Sequence, residues 1–85
     1  MRERLERVLT KLLLPMFDRL ESVSVSIMGF DNHIYRITFY FNDRIDTQDA
    51  WEIQREVSAI FEMLSPAKNE DFVIRYERGE SFSDI

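Results

Sequence analysis

The sequence predicts an α+β fold, a two-layer αββαβ sandwich with a three-stranded sheet and both helices on one face. Three observations lead there. Apolar residues recur at steps of three and four over residues 3–21 and again over 46–64. Three other runs alternate apolar and polar residues with a period of two. Each of the five stretches carries a single apolar side, and one-sided elements in this order close most simply as a helical layer on a sheet.

The first helix is predicted over residues 3–21. Leu5, Val8, Leu9, Leu12, Leu13, Met16, Phe17 and Leu20 form its stripe, with Arg4, Arg7, Lys11 and Asp18 on the other side. Pro15 falls inside the pattern. It lacks a backbone donor, so a kink over residues 11–14, or a split into two helices, is expected. Residues 22–28 then alternate Ser22, Ser24 and Ser26 with Val23, Val25 and Ile27, which places the serines outward. Gly29 to His33 reads as a turn, because Gly and Asn tolerate positive φ. Over 34–42, Tyr35, Ile37, Phe39 and Phe41 face one way and Arg36, Thr38 and Tyr40 the other. The two runs predict a hairpin with one dry and one wet face.

Asp46 is positioned to cap the second helix, with Asp49 three residues on, close to a capping box. Ala50, Ile53, Val57, Ile60, Phe61 and Leu64 form the apolar stripe of that helix. Ser65-Pro66 ends it, since the residue before proline avoids helical geometry. Phe72, Ile74 and Tyr76 alternate with Val73, Arg75 and Glu77 in a third strand. The last strand is free, on sequence grounds, to lie beside either strand of the hairpin. The crossover that leads to it follows the right-handed rule.

The composition sets limits on function. At 85 residues and 45% apolar content, the chain reads as a single domain over residues 1–85 and is too apolar for a disordered tail. No apolar run approaches the ~18 residues a membrane span needs. Met1-Arg2-Glu3-Arg4 does not read as a targeting leader, so the expected location is cytoplasmic. Without cysteine there is no disulfide, thiolate metal site or Cys nucleophile. His33, the single histidine, sits in the turn beside Asp31, and zinc sites draw on several such ligands. Two glycines do not build a phosphate cradle, and no serine stands in a nucleophile elbow. The expectation is therefore no enzyme, no catalytic residue, no cofactor and no metal.

The formal charge of −5 is concentrated. Residues 46–71 hold Asp46, Asp49, Glu52, Glu56, Glu62, Glu70 and Asp71 against Arg55 and Lys68, a net of −5 in themselves. Nucleic acid is the wrong partner for such a surface, and no basic stripe interleaves with aromatics. A membrane role for the first helix is equally unsupported, because Glu3 and Glu6 offset its basic residues. On the second helix, Asp49, Glu52 and Glu56 share one flank. Trp51 projects about 130° from the centre of the apolar stripe. An unburied Trp beside an acidic ridge suits a protein partner, as Trp is enriched at binding hot spots. Asp49, Trp51, Glu52 and Glu56, with Glu62 in support, are thus the candidate partner-binding residues. The ordinary alternative is a solvated helix face with the Trp covered by the N-terminal arm or a loop. The sheet's far face, with Arg36, Tyr40, Val73 and Arg75, is a second candidate surface, suited to a homodimer.

The layout also resembles a known family. The strings are Leu12-Leu13-Leu14-Pro15, Leu20-Glu21-Ser22-Val23-Ser24-Val25, Ile37-Thr38-Phe39-Tyr40-Phe41-Asn42-Asp43, Ile45-Asp46-Thr47-Gln48-Asp49 and Phe72-Val73-Ile74-Arg75-Tyr76-Glu77. Over residues 5–78 they resemble small acidic immunity proteins found beside polymorphic toxins in bacteria, such as those of contact-dependent inhibition systems. The resemblance implies a non-catalytic inhibitor of a cognate toxin, and it transfers no functional residue. Two other families share the element order. The C-terminal domain of cation efflux proteins is similar over Ser22 to Glu77, but its metal-ligand set is hard to assemble from one histidine. The N-terminal domain of the ribosome maturation factor RimP is similar around Asp49 to Leu64, and that family continues into a second domain. The leading expectation is an immunity-type module that binds a basic toxin domain through its acidic helix. The alternative is a structural, homodimerising αββαβ module.

Overall fold

The computed structural model describes residues 2–29, 34–64 and 70–80. Their order is α1 (Arg2–Leu13), a short 3-10 turn (Leu14–Met16), β1 (Leu20–Met28), β2 (Ile34–Phe41), α2 (Thr47–Leu64) and β3 (Asp71–Arg78). The predicted α+β architecture is what forms. The three strands make one sheet in the order β1-β2-β3, with β1 antiparallel and β3 parallel to β2. The choice that the sequence leaves open is thereby made: the last strand pairs with the second.

The register explains the alternation in the sequence. Val23, Phe39 and Tyr76 lie side by side, as do Val25, Ile37 and Ile74, on the face the helices cover. Ser24, Thr38 and Arg75 line up on the opposite face. Leu5, Leu9 and Leu13 from α1 and Ile53, Val57, Ile60 and Phe61 from α2 join the inward strand residues in one core. Both helices therefore pack on the same side of the sheet. Aromatics fill the α2 side of it: Phe61 packs at 5.8 Å from Tyr35 and 4.9 Å from Phe72, and Tyr76 stacks at 6.2 Å from Phe39. Rings of this size bury much area per residue, which lets a small, disulfide-free domain close a core.

The first helix departs from expectation. Instead of running to residue 21 it stops at Leu13, and Pro15 sits at the start of a single 3-10 turn. Of the two outcomes expected at Pro15, a kink or a break, the missing donor here gives a break. Phe17 is already extended, at φ −126° and ψ 111°, and the Leu20 N–H closes a turn on the Phe17 carbonyl at 3.1 Å. Leu20, placed by the sequence on a helical stripe, opens β1 instead. Leu12 and Met16 are about half exposed, because a helix buried along Leu5, Leu9 and Leu13 turns them to the side. Ile27 also departs from its predicted buried place. It is 42% exposed, since α1 begins level with Val25, whose carbonyl accepts from Arg2, and does not reach the strand end.

The second helix follows the sequence closely. The Asp46 carboxylate accepts the Asp49 N–H at 2.8 Å, the N-cap that its position predicts. Gly29 has φ +83°, as a chain reversal after β1 requires. The remainder of that turn, with Asp31 and His33, and the Ser65-Pro66 stop lie outside the described residues.

Candidate protein-binding surface

The surface is built on α2. Burying Ile53, Val57, Ile60 and Phe61 fixes the rotation of the helix, so residues on the opposite side must face water. Trp51 is 57% exposed. The Arg55 guanidinium lies over its ring, 4.9 Å from the centroid, one turn further along. Trp51, Gln54, Arg55 and Ser58 line a shallow depression on the crest of the helix. An indole held by a neighbouring guanidinium is partly preorganised, and an exposed cation–π pair of this kind contributes about 0.5–1 kcal/mol.

The candidate carboxylates divide into two groups. Asp49, Glu52 and Glu56 are half-buried along the flank between the crest and the core. Glu52 accepts a hydrogen bond from Gln48 at 3.1 Å. Glu56 faces Arg55 at 3.9 Å, an exposed pair of little strength that leaves its charge available. Glu62 is exposed but does not join this group. Eleven residues at 1.5 Å per residue put it about 16 Å along the crest from Trp51. The structure thus sets Trp51 with Gln54, Arg55 and Ser58 on the crest, and Asp49, Glu52 and Glu56 on the adjoining flank, with Glu62 remote along the crest. Arg55 lies within the patch, so its potential is negative along the flank and mixed at the crest.

Other features escape a reading by pattern. The Arg2 and Glu6 side chains both reach the backbone of Val25: Arg2 Nη1 donates to its carbonyl at 3.1 Å, and its N–H donates to Glu6 Oε1 at 3.0 Å. An Arg and a Glu one turn apart on a helix carry no signal that they will serve a strand edge. Tyr76 donates from its hydroxyl to the Ala50 carbonyl at 3.3 Å and ties β3 to the first turn of α2. Burial, and then the hydrogen bond and charge of Glu70, hold the Tyr35 phenol above its ordinary 10.0; burial alone raises Tyr76. An open cleft of about 400 Å³ lies between the β2–α2 connection and the end of β3, lined by Phe41, Asp43, Arg44, Ile45 and Tyr76 among others. Its Asp43 and the Arg44 carbonyl both face Arg19, at 3.9 and 2.9 Å.

On the sheet's far face, Thr38 is buried while Arg75 and Glu77 pair at 2.8 Å and Val73 is 42% exposed. Among the described residues no group of three or more His, Asp or Glu side chains is placed to hold a metal ion. No helix there is long and apolar enough to cross a membrane. Comparison with protein-family models, curated proteins and solved structures found no match for the chain.

Proposed function

We propose that the chain is a non-catalytic, protein-binding module of the immunity type, which neutralises a toxin domain in the bacterial cytoplasm. The observation that carries the reading is the exposed Trp51 on the crest of a helix whose adjoining flank holds Glu52 and Glu56, in a segment whose net charge is −5. A toxin that acts on nucleic acid needs a basic cleft, and the acidic flank of α2 complements one. Long-range attraction speeds the encounter, and desolvation of the indole at the centre of contact slows release. Covering the cleft excludes substrate, so inhibition needs no chemistry from the inhibitor. Glu62 adds to steering from the rim rather than to the contact itself.

The test is protection of cells. A toxin domain encoded beside this chain is expressed with wild-type chain or with a Trp51→Ala, Glu52→Lys double variant. Wild type restores growth. The double variant, folded as judged by circular dichroism and melting, leaves the cells sensitive. Full protection by the folded double variant would remove α2 from the binding surface.

A further inference from the structure

The sheet has two edges, and the chain treats them differently. On β1, the Val25 N–H and carbonyl are both occupied by side chains from α1, Glu6 and Arg2. Those contacts block pairing with another strand. On β3, no described strand lies on the outer side, and most of the strand is exposed. Its backbone polarity can be read from two contacts. The Gly79 N–H donates to the Phe41 carbonyl of β2 at 2.7 Å, whereas the Phe72 N–H is turned to the Asp71 carboxylate at 2.7 Å. Backbone groups alternate sides along a strand, so Phe72, Ile74 and Tyr76 direct theirs to the open edge and the odd-numbered residues bond to β2.

We propose that the β3 edge is a self-association site, at which a second copy of this chain adds its own β3 in antiparallel register about a two-fold axis at Val73. This register is self-complementary. On the covered face, Phe72 lies opposite Ile74 of the second copy, and each such pair exchanges both backbone hydrogen bonds. On the open face, Val73 meets its own copy, and Arg75 lies opposite Asp71 of the second copy, twice by symmetry. Asp71 then releases the Phe72 N–H for pairing and takes an arginine instead. Neighbouring registers are worse. An axis at Ile74 sets Asp71 against Glu77, an axis at Arg75 sets two arginines face to face, and an axis at Tyr76 puts Ile74 against Arg78. The result is one continuous sheet across two protomers, built on residues separate from the α2 crest. One edge strand is a small interface, so the dissociation constant lies on the order of tens of micromolar.

Two measurements test it on the full chain. Since the sequence has no cysteine, Val73→Cys supplies a single thiol on the axis. A non-hydrogen-bonded antiparallel pair spaces Cα atoms about 4.5 Å apart, within disulfide reach. Under mild oxidation Val73→Cys cross-links rapidly, and Ser24→Cys in the middle of the open face does not. In sedimentation equilibrium the wild type dimerises with concentration. Asp71→Arg and Arg75→Asp each weaken self-association roughly tenfold, because both symmetric pairs become like-charged. An equimolar mixture of the two variants restores it. A wild type that stays monomeric at about 1 mM, far above that dissociation constant, would overturn the proposal. Equal cross-linking by the two cysteine variants, or a mixture no stronger than its components, would do the same.

Discussion

The contact between α1 and the β1 edge allows the most direct test of what holds this fold together. Glu6→Ala removes the acceptor of the Val25 N–H, a 3.0 Å charge-assisted bond at a partly buried site. Leaving such a donor unmatched costs about 1.5–3 kcal/mol, and water reaching a sheet edge moves the figure to the low end. Alanine's better helix propensity returns about 0.3 kcal/mol. The net loss is about 1.2 kcal/mol, which for a domain of this size lowers the melting temperature by roughly 5–10 °C. Glu6→Gln keeps a neutral acceptor and loses less than half of that. Thermal melting followed by circular dichroism gives the first number. Hydrogen exchange at the Val25 amide gives the second, with roughly a tenfold loss of protection in Glu6→Ala. The reasoning is refuted if Glu6→Ala melts within about 1 °C of wild type and the Val25 amide exchanges no faster.

Three further outcomes follow from the same geometry. Asp46→Ala removes the N-cap of α2 and costs about 1 kcal/mol in denaturant titration, while Asp46→Asn retains most of it. Phe39→Ala, at a fully buried position stacked on Tyr76, costs about 3–5 kcal/mol, enough to leave a domain this small largely unfolded by circular dichroism. Stability also falls in alkali. Tyr35 and Tyr76 have folded-state pKa values above 10.0, so their contribution is whole below pH 10 and is lost as pH rises past it, when the unfolded chain ionises first. A pH series of melts measures the loss, and Tyr35→Phe flattens it.

Much of the fold is legible in the residues themselves. Period-two alternation placed Tyr35, Ile37, Phe39 and Phe41 on the covered face, and the Asp46 cap with its stripe placed α2 almost to the residue. The interruption at Pro15 is legible, but the extent of the first helix is not, because Phe17 and Leu20 keep the helical spacing by coincidence after the helix has ended. A missing donor marks where pairing is disturbed, but periodicity alone does not say whether the chain beyond it stays helical. The helical period places Trp51 away from the apolar stripe but leaves open a cover by the N-terminal arm or a loop, and the packed structure decides for exposure. The placement of Arg55 over the indole follows from its i, i+4 spacing, yet only side-chain geometry shows that a cation occupies the patch. Glu62 illustrates the opposite limit, for a shared helical face does not bring residues three turns apart into one contact. Strand order and the Arg2 and Glu6 clamp depend on long-range packing, and nothing in the order of residues announces them.

The central claim is that Trp51 is a binding anchor and not a structural residue. At 57% exposure of a side chain near 250 Å², a partner that covers it removes about 140 Å² of largely apolar surface from water, about 3.5 kcal/mol. Immobilising the side chain returns about 1 kcal/mol of that. Calorimetric titration of the proposed toxin partner with wild type and with Trp51→Ala measures the remainder directly. The account predicts binding weakened roughly 60-fold, with a melting temperature close to wild type. Affinity unchanged within about twofold, or a collapse of stability on removing the indole, would contradict it.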